Sequence, residues 1–411
     1  MTKVIDAEFA ASLVARYGSP LYAYDLDEVA SRAREILEIL PETARLYYSL
    51  KANPLPEIGA ALKQTCAAEV SSSGELASAL EAGFDRARIL YTGPGKTVAA
   101  IENALRSGVE QFSCESWRDA ERLARIASSF RVRPRVLLRV NPSFAPRAQM
   151  SMSRGAGQFG MSEESLMGRP AGWASLIDAI EIVGVHVYLG TQLHDVPPME
   201  SAFRVVVDTA DRVADRLSLD LRIIDAGGGF PWPFARLGDG PDLADLRETL
   251  AEICSATRGT TNTEYWFESG RYLCASSGTL LATVLDDKTG TAGRRYVVLD
   301  AGINALGGMG GLGRLLMSAV SIVPIGGEPT GDLTAADVVG PLCTPLDLLA
   351  RDVPLPPFPV DSLVAIPNVG AYGLTASLIA FLSQPAPSEV VYRAGEVTAA
   401  RRIILDREWL A

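Results

Sequence analysis

The sequence predicts an α/β protein: a (β/α)8 TIM barrel over residues 26–270, joined to a mostly β domain built from 1–25 and 271–411. Three observations lead there. Short apolar runs alternate with longer amphipathic ones from about residue 45 to 270, eight such units fit that span, and the helical rhythm stops beyond it. Alternation of this kind implies a parallel sheet, and eight units close a barrel in roughly 250 residues. A doubly wound open sheet is the alternative arrangement of the same elements.

The strands are read in order as LYYSL (46–50), AAEV (67–70), RILY (88–91), QFS (111–113), RVLLRV (135–140), IVGVHV (182–187), RIIDA (222–226) and YWFE (265–268). Between them lie helical patterns such as PEIGAALKQ, GELASALEAG, VAAIENALRSG and SWRDAERLARIA, and the stretch from Met199 to Leu217. Ahead of the barrel, AEFAASLVARYG reads as a helix and SPLYAYD as a strand able to join the C-terminal β domain. Asp25 is placed to cap the helix that follows. After residue 270, RRYVVLDAG, DVVGPLC, SLVAIPNVG and EVVYRAGEV are β-like runs between Gly/Pro turns, and GGMGGLGR (307–314) reads as a loop.

With 411 residues, 48% hydrophobic and 21% charged, the chain has material for a sizeable core. A net charge of −11 without basic runs gives nucleic acid or an anionic membrane no electrostatic attraction. Neither a secretory leader nor a membrane span is recognisable, so the expected location is cytoplasmic. The five scattered cysteines make no CxxC pair, and two histidines, His186 and His194, are too few for a multi-histidine metal site, so no metal is expected.

In a barrel of this type the active site lies at the C-terminal ends of the strands. Lys51 ends the first; Ser71–Ser73, TGPGK (92–96), Glu115, Asn141, YLGTQ (188–192), GGGF (227–230) and ESGR (268–271) end the others. An ammonium is costly to bury, and the ordinary explanation of a strand-end lysine is that its stem is buried and its head reaches water. The loops after strands seven and eight commonly build a phosphate site, and Gly227–Gly229 with Gly270 and Arg271 offer backbone N–H groups and a guanidinium. A lysine and a phosphate cradle in one mouth suggest a Schiff base to a phosphorylated carbonyl compound. Both a class I aldolase and a pyridoxal phosphate (PLP) enzyme fit. Glu268 separates them, because a carboxylate beside the pyridine nitrogen keeps it protonated.

YYSLKANP, EVSSSGEL, ILYTGPGK, RVNP, QFGM, GTQ, DAGGGF, ESGRYL, GPLC and GAYG follow one another in the order found in the fold-type III PLP-dependent decarboxylases. From about Pro20 to Leu410 the chain resembles this family of diaminopimelate and ornithine/arginine decarboxylases, with an alanine-racemase-like barrel plus β domain. The resemblance implies that Lys51 carries the cofactor and Glu268 is its ring-nitrogen partner, in place of the arginine of alanine racemases. It implies a phosphate held by Gly228, Gly229, Gly270, Arg271 and the hydroxyls of Thr191 and Tyr372. It also implies a homodimer with active sites at the interface, where Cys343 protonates the substrate carbon after carbon dioxide leaves.

The departures bear on the substrate. Tyr188 stands where the family stacks a histidine on the cofactor; it can stack but carries no positive charge. His186, deeper on the same side, reads as core. Diaminopimelate enzymes follow the cysteine with a glutamate, whereas here Thr344 follows. Arg314 is followed by LLM, where a tyrosine is expected. Arg314, Thr344 and Asp347 are the expected substrate contacts, with a structural cap as the other role open to Asp347. This pattern resembles most a side branch acting on modified or carrier-protein-linked amino acids. The leading expectation is therefore a PLP-dependent amino-acid decarboxylase with an acyl or peptidyl carrier protein as a possible partner. The alternatives are diaminopimelate decarboxylase proper, a racemase or epimerase, and a cofactor-binding or carrier-partner protein without turnover.

Overall fold

Eight short strands, each buried along most of its length, need partners on both edges, and they find them by closing on themselves. They are β1 (Ala44–Ser49), β2 (Ala67–Val70), β3 (Ile89–Tyr91), β4 (Gln111–Cys114), β5 (Arg135–Asn141), β6 (Glu181–His186), β7 (Ile223–Asp225) and β8 (Glu264–Ser269). Each pairs in parallel with the next. β8 returns to β1, with Glu268 opposite Tyr47, so the sheet is a closed barrel and not an open one. The computed structural model describes residues 5–142, 158–190, 193, 195–256, 263–307, 320–327 and 331–408.

Strand-to-helix turns are set by hydroxyl caps. Ser72, Thr97 and Ser116 accept the backbone N–H of Glu75, Ala100 and Asp119 and start helices Ser73–Ala82, Val98–Arg106 and Trp117–Phe130. The first strand stops at Ser49, one residue sooner than its apolar run suggests. Leu50–Ala52 is a 3-10 turn, and it carries Lys51 off the strand.

The barrel is filled, not hollow. Tyr47, Ala67, Leu90, Leu137, Val183, Ile223 and Trp266 form one buried cluster across seven of the strands, with the Tyr47 and Trp266 rings 4.6 Å apart. The Tyr47 hydroxyl donates to Gln111 Oε1 of β4 at 3.3 Å and completes the ring of strands. Side chains two apart on a strand share a face. Above this apolar layer, therefore, sit Ser49, Glu69, Thr92, Ser113, Arg139, Asp225 and Glu268, each two residues further along its own strand and each buried.

The second compact unit takes the residues up to Val29, Trp232–Asp239 and the chain from Cys274 on. Its sheet runs through Leu348–Leu355, Thr334–Val339, Arg295–Leu299, Gly278–Thr289, Leu21–Asp25, Ser388–Arg393 and Glu396–Arg402. As the sequence predicts, the strand Leu21–Asp25 lies within it, antiparallel to Gly278–Thr289 and parallel to Ser388–Arg393. Asp25 Oδ1 accepts the Asp27 N–H at 3.0 Å at the start of the next helix. Trp232–Asp239, which falls inside the 26–270 span, joins the β unit because the Trp232 indole donates to Asn368 Oδ1 at 3.0 Å. Among the described residues, no helix is long and apolar enough to cross a membrane.

Candidate active site

Lys51 meets a partner that its position in the sequence does not announce. Its Nζ lies 3.0 Å from Glu69 Oε2 and 3.2 Å from Oε1. The lysine side chain is 44% exposed and the glutamate 2%, so the ammonium stays at the wet rim and reaches down to a sealed acid. Thr92 Oγ1 donates to Glu69 Oε1 at 2.5 Å and Ser71 Oγ at 3.3 Å. Burial alone would push the Glu69 carboxyl up; the Lys51 charge and hydrogen bonds from Thr92, Ser49 and Lys51 outweigh it and hold the group below the usual carboxylate range.

On the far side of the ring, Arg139 donates to Glu115 Oε1 at 2.8 Å, and the Gly160 N–H donates to Glu115 Oε2 at 2.6 Å. The Arg139 guanidinium lies 4.9 Å from the Phe159 ring and 6.0 Å from that of Tyr188. Behind it the buried Lys96 of TGPGK pairs with Asp119 at 2.7 Å. This lysine is therefore a structural cation of the loop.

Three groups at the ends of β6, β7 and β8 converge: His186, Asp225 and Glu268 bring one ligating atom each to within 4.8 Å of one another. His186 Nε2, Asp225 Oδ2 and Glu268 Oε1 are buried and have no hydrogen-bond partner in the protein. Burial, with repulsion from Glu69 and Asp225, drives the Glu268 carboxyl well up. Burial likewise pushes Asp225 up to about 7. Burial and the Arg139, Lys51 and Lys96 cations push His186 well down, so its ring is neutral.

The glycine turn after β7 is shaped by close approach. Gly227 has φ +61°, and a Cβ there would lie 2.5 Å from the Tyr188 ring; at Gly228 it would lie 2.5 Å from the Glu268 carbonyl oxygen. Tyr188 therefore packs on this turn. Gly270 is as tight, with a Cβ falling 2.6 Å from that of Ala52, beside Lys51. Lys51, Tyr188, Gly228, Gly229, Glu268, Gly270 and Arg271 thus all belong to the barrel's C-terminal mouth or to the turns that edge it.

Tyr372, Cys343, Thr344 and Asp347 belong to the β unit. Cys343 is exposed, unlike the buried Cys66, Cys114 and Cys274. Asp347 is buried, and its two oxygens accept the N–H groups of Ile303 at 2.8 Å and Leu342 at 2.7 Å. Of its two expected roles, that geometry favours the cap of the GPLC loop over a substrate contact. Thr344 Oγ1 accepts the Leu346 N–H at 3.3 Å, a local turn. Tyr372 is half-buried at φ +55°, a conformation that costs a non-glycine residue energy. Thr191 and Arg314 lie outside the described residues.

The sequence reading missed Glu69, Asp225 and Arg139, and it placed His186 in the core. His186 is buried as expected, yet its ring faces the site, with Nε2 3.7 Å from Glu268. Counting two residues on from each apolar-layer position finds the first three.

These residues fit pyridoxal phosphate. Glu268 Oε1, unpartnered at the bottom of the mouth, suits a ring nitrogen; Lys51 is within reach of solvent; and the Gly228 and Gly270 turns pack against Glu268 and Ala52 too closely for any side chain, which leaves their backbone bare at the rim. The comparisons agree. The model for the pyridoxal-binding domain of pyridoxal-dependent decarboxylases matches residues 26–275. An L-glutamyl-[BtrI acyl-carrier protein] decarboxylase of Niallia circulans is 31% identical over 97% of this chain and 94% of its own length. The diaminopimelate decarboxylase of Deinococcus radiodurans is 32% identical over 94% of this chain and 93% of its own. Diaminopimelate decarboxylase from Helicobacter pylori, complexed with L-lysine, superposes with a TM-score of 0.81 at 28% identity, covering 95% of each chain. With its closed barrel, β unit and matching pyridoxal-binding domain, this chain belongs to the family of pyridoxal-dependent decarboxylases.

Proposed function

We propose that this pyridoxal-dependent decarboxylase acts on an amino acid linked to a carrier protein through its side-chain carboxyl, with the α-amino and α-carboxylate groups left free, and with a glutamyl group as the first candidate. The observation that carries the proposal is the 31% identity, over 97% of this chain, to a decarboxylase of a glutamyl group on an acyl-carrier protein. Thr344 supports it from another direction. The glutamate of diaminopimelate enzymes is replaced here by a hydroxyl already engaged with Leu346 N–H, which offers a second substrate amine no negative charge. The family resemblance extends to diaminopimelate enzymes, so free diaminopimelate is the competing substrate.

In this proposal Lys51 supplies the amine that holds the cofactor, and Tyr188 packs on its ring. Gly228, Gly229, Gly270 and Arg271 receive the phosphate, with Thr191 and Tyr372 adding hydroxyls. The chemistry of bound pyridoxal phosphate is that of a carbonyl that condenses with amines and a ring that accepts the electron pair left when carbon dioxide departs. The chain's own groups manage the protons. Glu268, whose carboxyl burial and the Glu69 and Asp225 charges drive up, would hold a proton toward a ring nitrogen, and the positive charge of that nitrogen would offset the cost of a buried carboxylate. Glu69 holds the Lys51 amine in place while the substrate amine enters. Cys343 of the partner subunit delivers the last proton in a homodimer, which accords with its exposure.

Carbon dioxide release from glutamyl-carrier protein, other aminoacyl-carrier proteins, free glutamate, free basic amino acids and diaminopimelate tests the proposal. A carrier-linked substrate is expected to exceed its free amino acid by at least about 100-fold in kcat/KM, close to 3 kcal/mol of transition-state binding. Fast turnover of free diaminopimelate would overturn it.

A further inference from the structure

We propose that Ser113 and His186 form a positioning relay for Glu268: the serine hydroxyl fixes the imidazole so that Nε2–H faces the Glu268 carboxylate as a donor. The inference rests on Glu268 being the partner of the cofactor's ring nitrogen. It adds two residues that sequence reasoning gave no role.

The backbone is built to present this histidine. On six strands the polar residue follows its apolar-layer neighbour by two positions, and on β4 Ser113 follows Gln111 by two, but Val183 and His186 are three apart. The register between β5 and β6 shifts at this point: Val136 pairs with Ile182 and Leu137 with Gly184. This is a bulge, and the extra residue reverses the alternation and turns His186 inward. Gly184 makes it possible, since a Cβ there would lie 1.8 Å from the Ile223 carbonyl oxygen. Bulges concentrate beside active sites, where they re-aim a side chain.

The imidazole is held at one nitrogen and open at the other. Nδ1 lies 2.9 Å from Ser113 Oγ, while Nε2 and Glu268 Oε1, 3.7 Å apart, are each buried without a hydrogen bond. Catalytic hydrogen bonds are often long outside the reacting complex and tighten within it. A neutral imidazole has one donor and one acceptor. With Ser113 donating to Nδ1, the remaining N–H lies on Nε2. That is the tautomer a carboxylate needs, since it can accept from the imidazole and from a protonated ring nitrogen together.

The charges around the ring explain why a neutral donor stands here. Glu69 on β2 and Asp225 on β7 face Glu268 and push it toward its neutral acid, together with burial. Arg139 on β5, Lys51 beyond β1 and Lys96 face His186 and, with burial, keep it uncharged. A neutral N–H opposes the push on Glu268 without adding another buried charge. The relay thereby favours the ionised carboxylate beside a protonated ring, the state that makes the ring a strong electron sink.

The test reconstitutes the enzyme with pyridoxal phosphate 15N-labelled in the ring and reads that nitrogen's NMR shift alongside kcat and KM. The unmodified enzyme is expected to show a protonated ring nitrogen. His186→Leu should move the signal toward unprotonated pyridine and lower kcat about 10- to 100-fold with KM within about twofold, the range seen when supporting hydrogen bonds are lost. His186→Gln, whose amide can donate, should recover part of both, and Ser113→Ala should fall between. If His186→Leu does not fold, Ser113→Ala and His186→Gln decide by the same signal. An unmoved nitrogen shift in these variants overturns the relay, provided that Glu268→Gln moves it. If Glu268→Gln leaves the shift unmoved, the role given to Glu268 is what fails.

Discussion

The amine of Lys51 and the carboxylate of Glu69 lie 3.0 Å apart, the first half in water and the second sealed in the barrel. The lysine therefore does two things: it presents a nucleophile and it keeps a buried acid ionised. Lys51→Ala is expected to abolish the visible cofactor absorbance and lower decarboxylation at least about 1000-fold, as for loss of a covalent catalyst. Fluorescence and absorbance titration with pyridoxal phosphate reads the first effect. In the unmodified chain, Glu69 adds stability that is present above its unfolded pKa of about 4.3 and is lost as the pH falls through its lower folded value.

Asp225 works in the opposite sense. Its folded pKa, raised to about 7, lies above the unfolded value, so the folded chain binds the extra proton between about pH 4 and 7. Stability of the cofactor-free protein is thus expected to rise as the pH falls from 8 toward 5, by about 3 kcal/mol at most from this residue. Asp225→Asn should flatten that rise in thermal melts. A slope left unchanged by the substitution would refute the assignment.

Gly228→Ala places a methyl group 2.5 Å from the Glu268 carbonyl oxygen. Overpacking of this kind costs about 1–3 kcal/mol and shifts neighbouring groups. The expected outcome is a folded protein, slightly less stable by calorimetry, with pyridoxal phosphate affinity reduced at least about tenfold.

Cys343 is the exposed thiol, whereas burial pushes the Cys66 thiol up to about 12. Brief exposure to a thiol reagent should label Cys343 first, as peptide mapping would show, and should inactivate the enzyme. Mixing inactive Lys51→Ala with Cys343→Ala chains tests a shared site. If each subunit lends its thiol to the other, dissociation and reassociation should restore about a quarter of the wild-type activity, because half the dimers then carry one intact site. No recovery in verified mixed dimers would show that lysine and thiol act within one chain.

Much of this was legible because a parallel barrel writes itself as apolar runs separated by amphipathic ones. Lys51 and Glu268 stood out as charges at the ends of such runs. Arg139 did not, since in RVLLRV it reads as one polar residue in a buried strand. Glu69 and Asp225 were hidden for a related reason. Which face of a strand points inward depends on where the barrel axis lies, and that is known only after closure. His186 was harder still, because a bulge reverses the alternation on which any count by twos relies. The second strand's boundaries, Ala67–Val70, suffered least, and Trp232–Asp239 most, the Trp232 indole being tied to Asn368, 136 positions away.

The clasp that Asp347 makes with Ile303 and Leu342 has a consequence for any encounter involving Cys343. Ordering backbone costs about 1–2 kcal/mol per residue in lost conformational entropy. Here the loop from Gly340 to Asp347 is already tied by Gly340 N–H to Asp347 and Asp347 N–H to Thr344. That entropy is surrendered when the β unit folds. A surface that later meets Cys343 meets a preformed tip, so affinity need not be spent on ordering it.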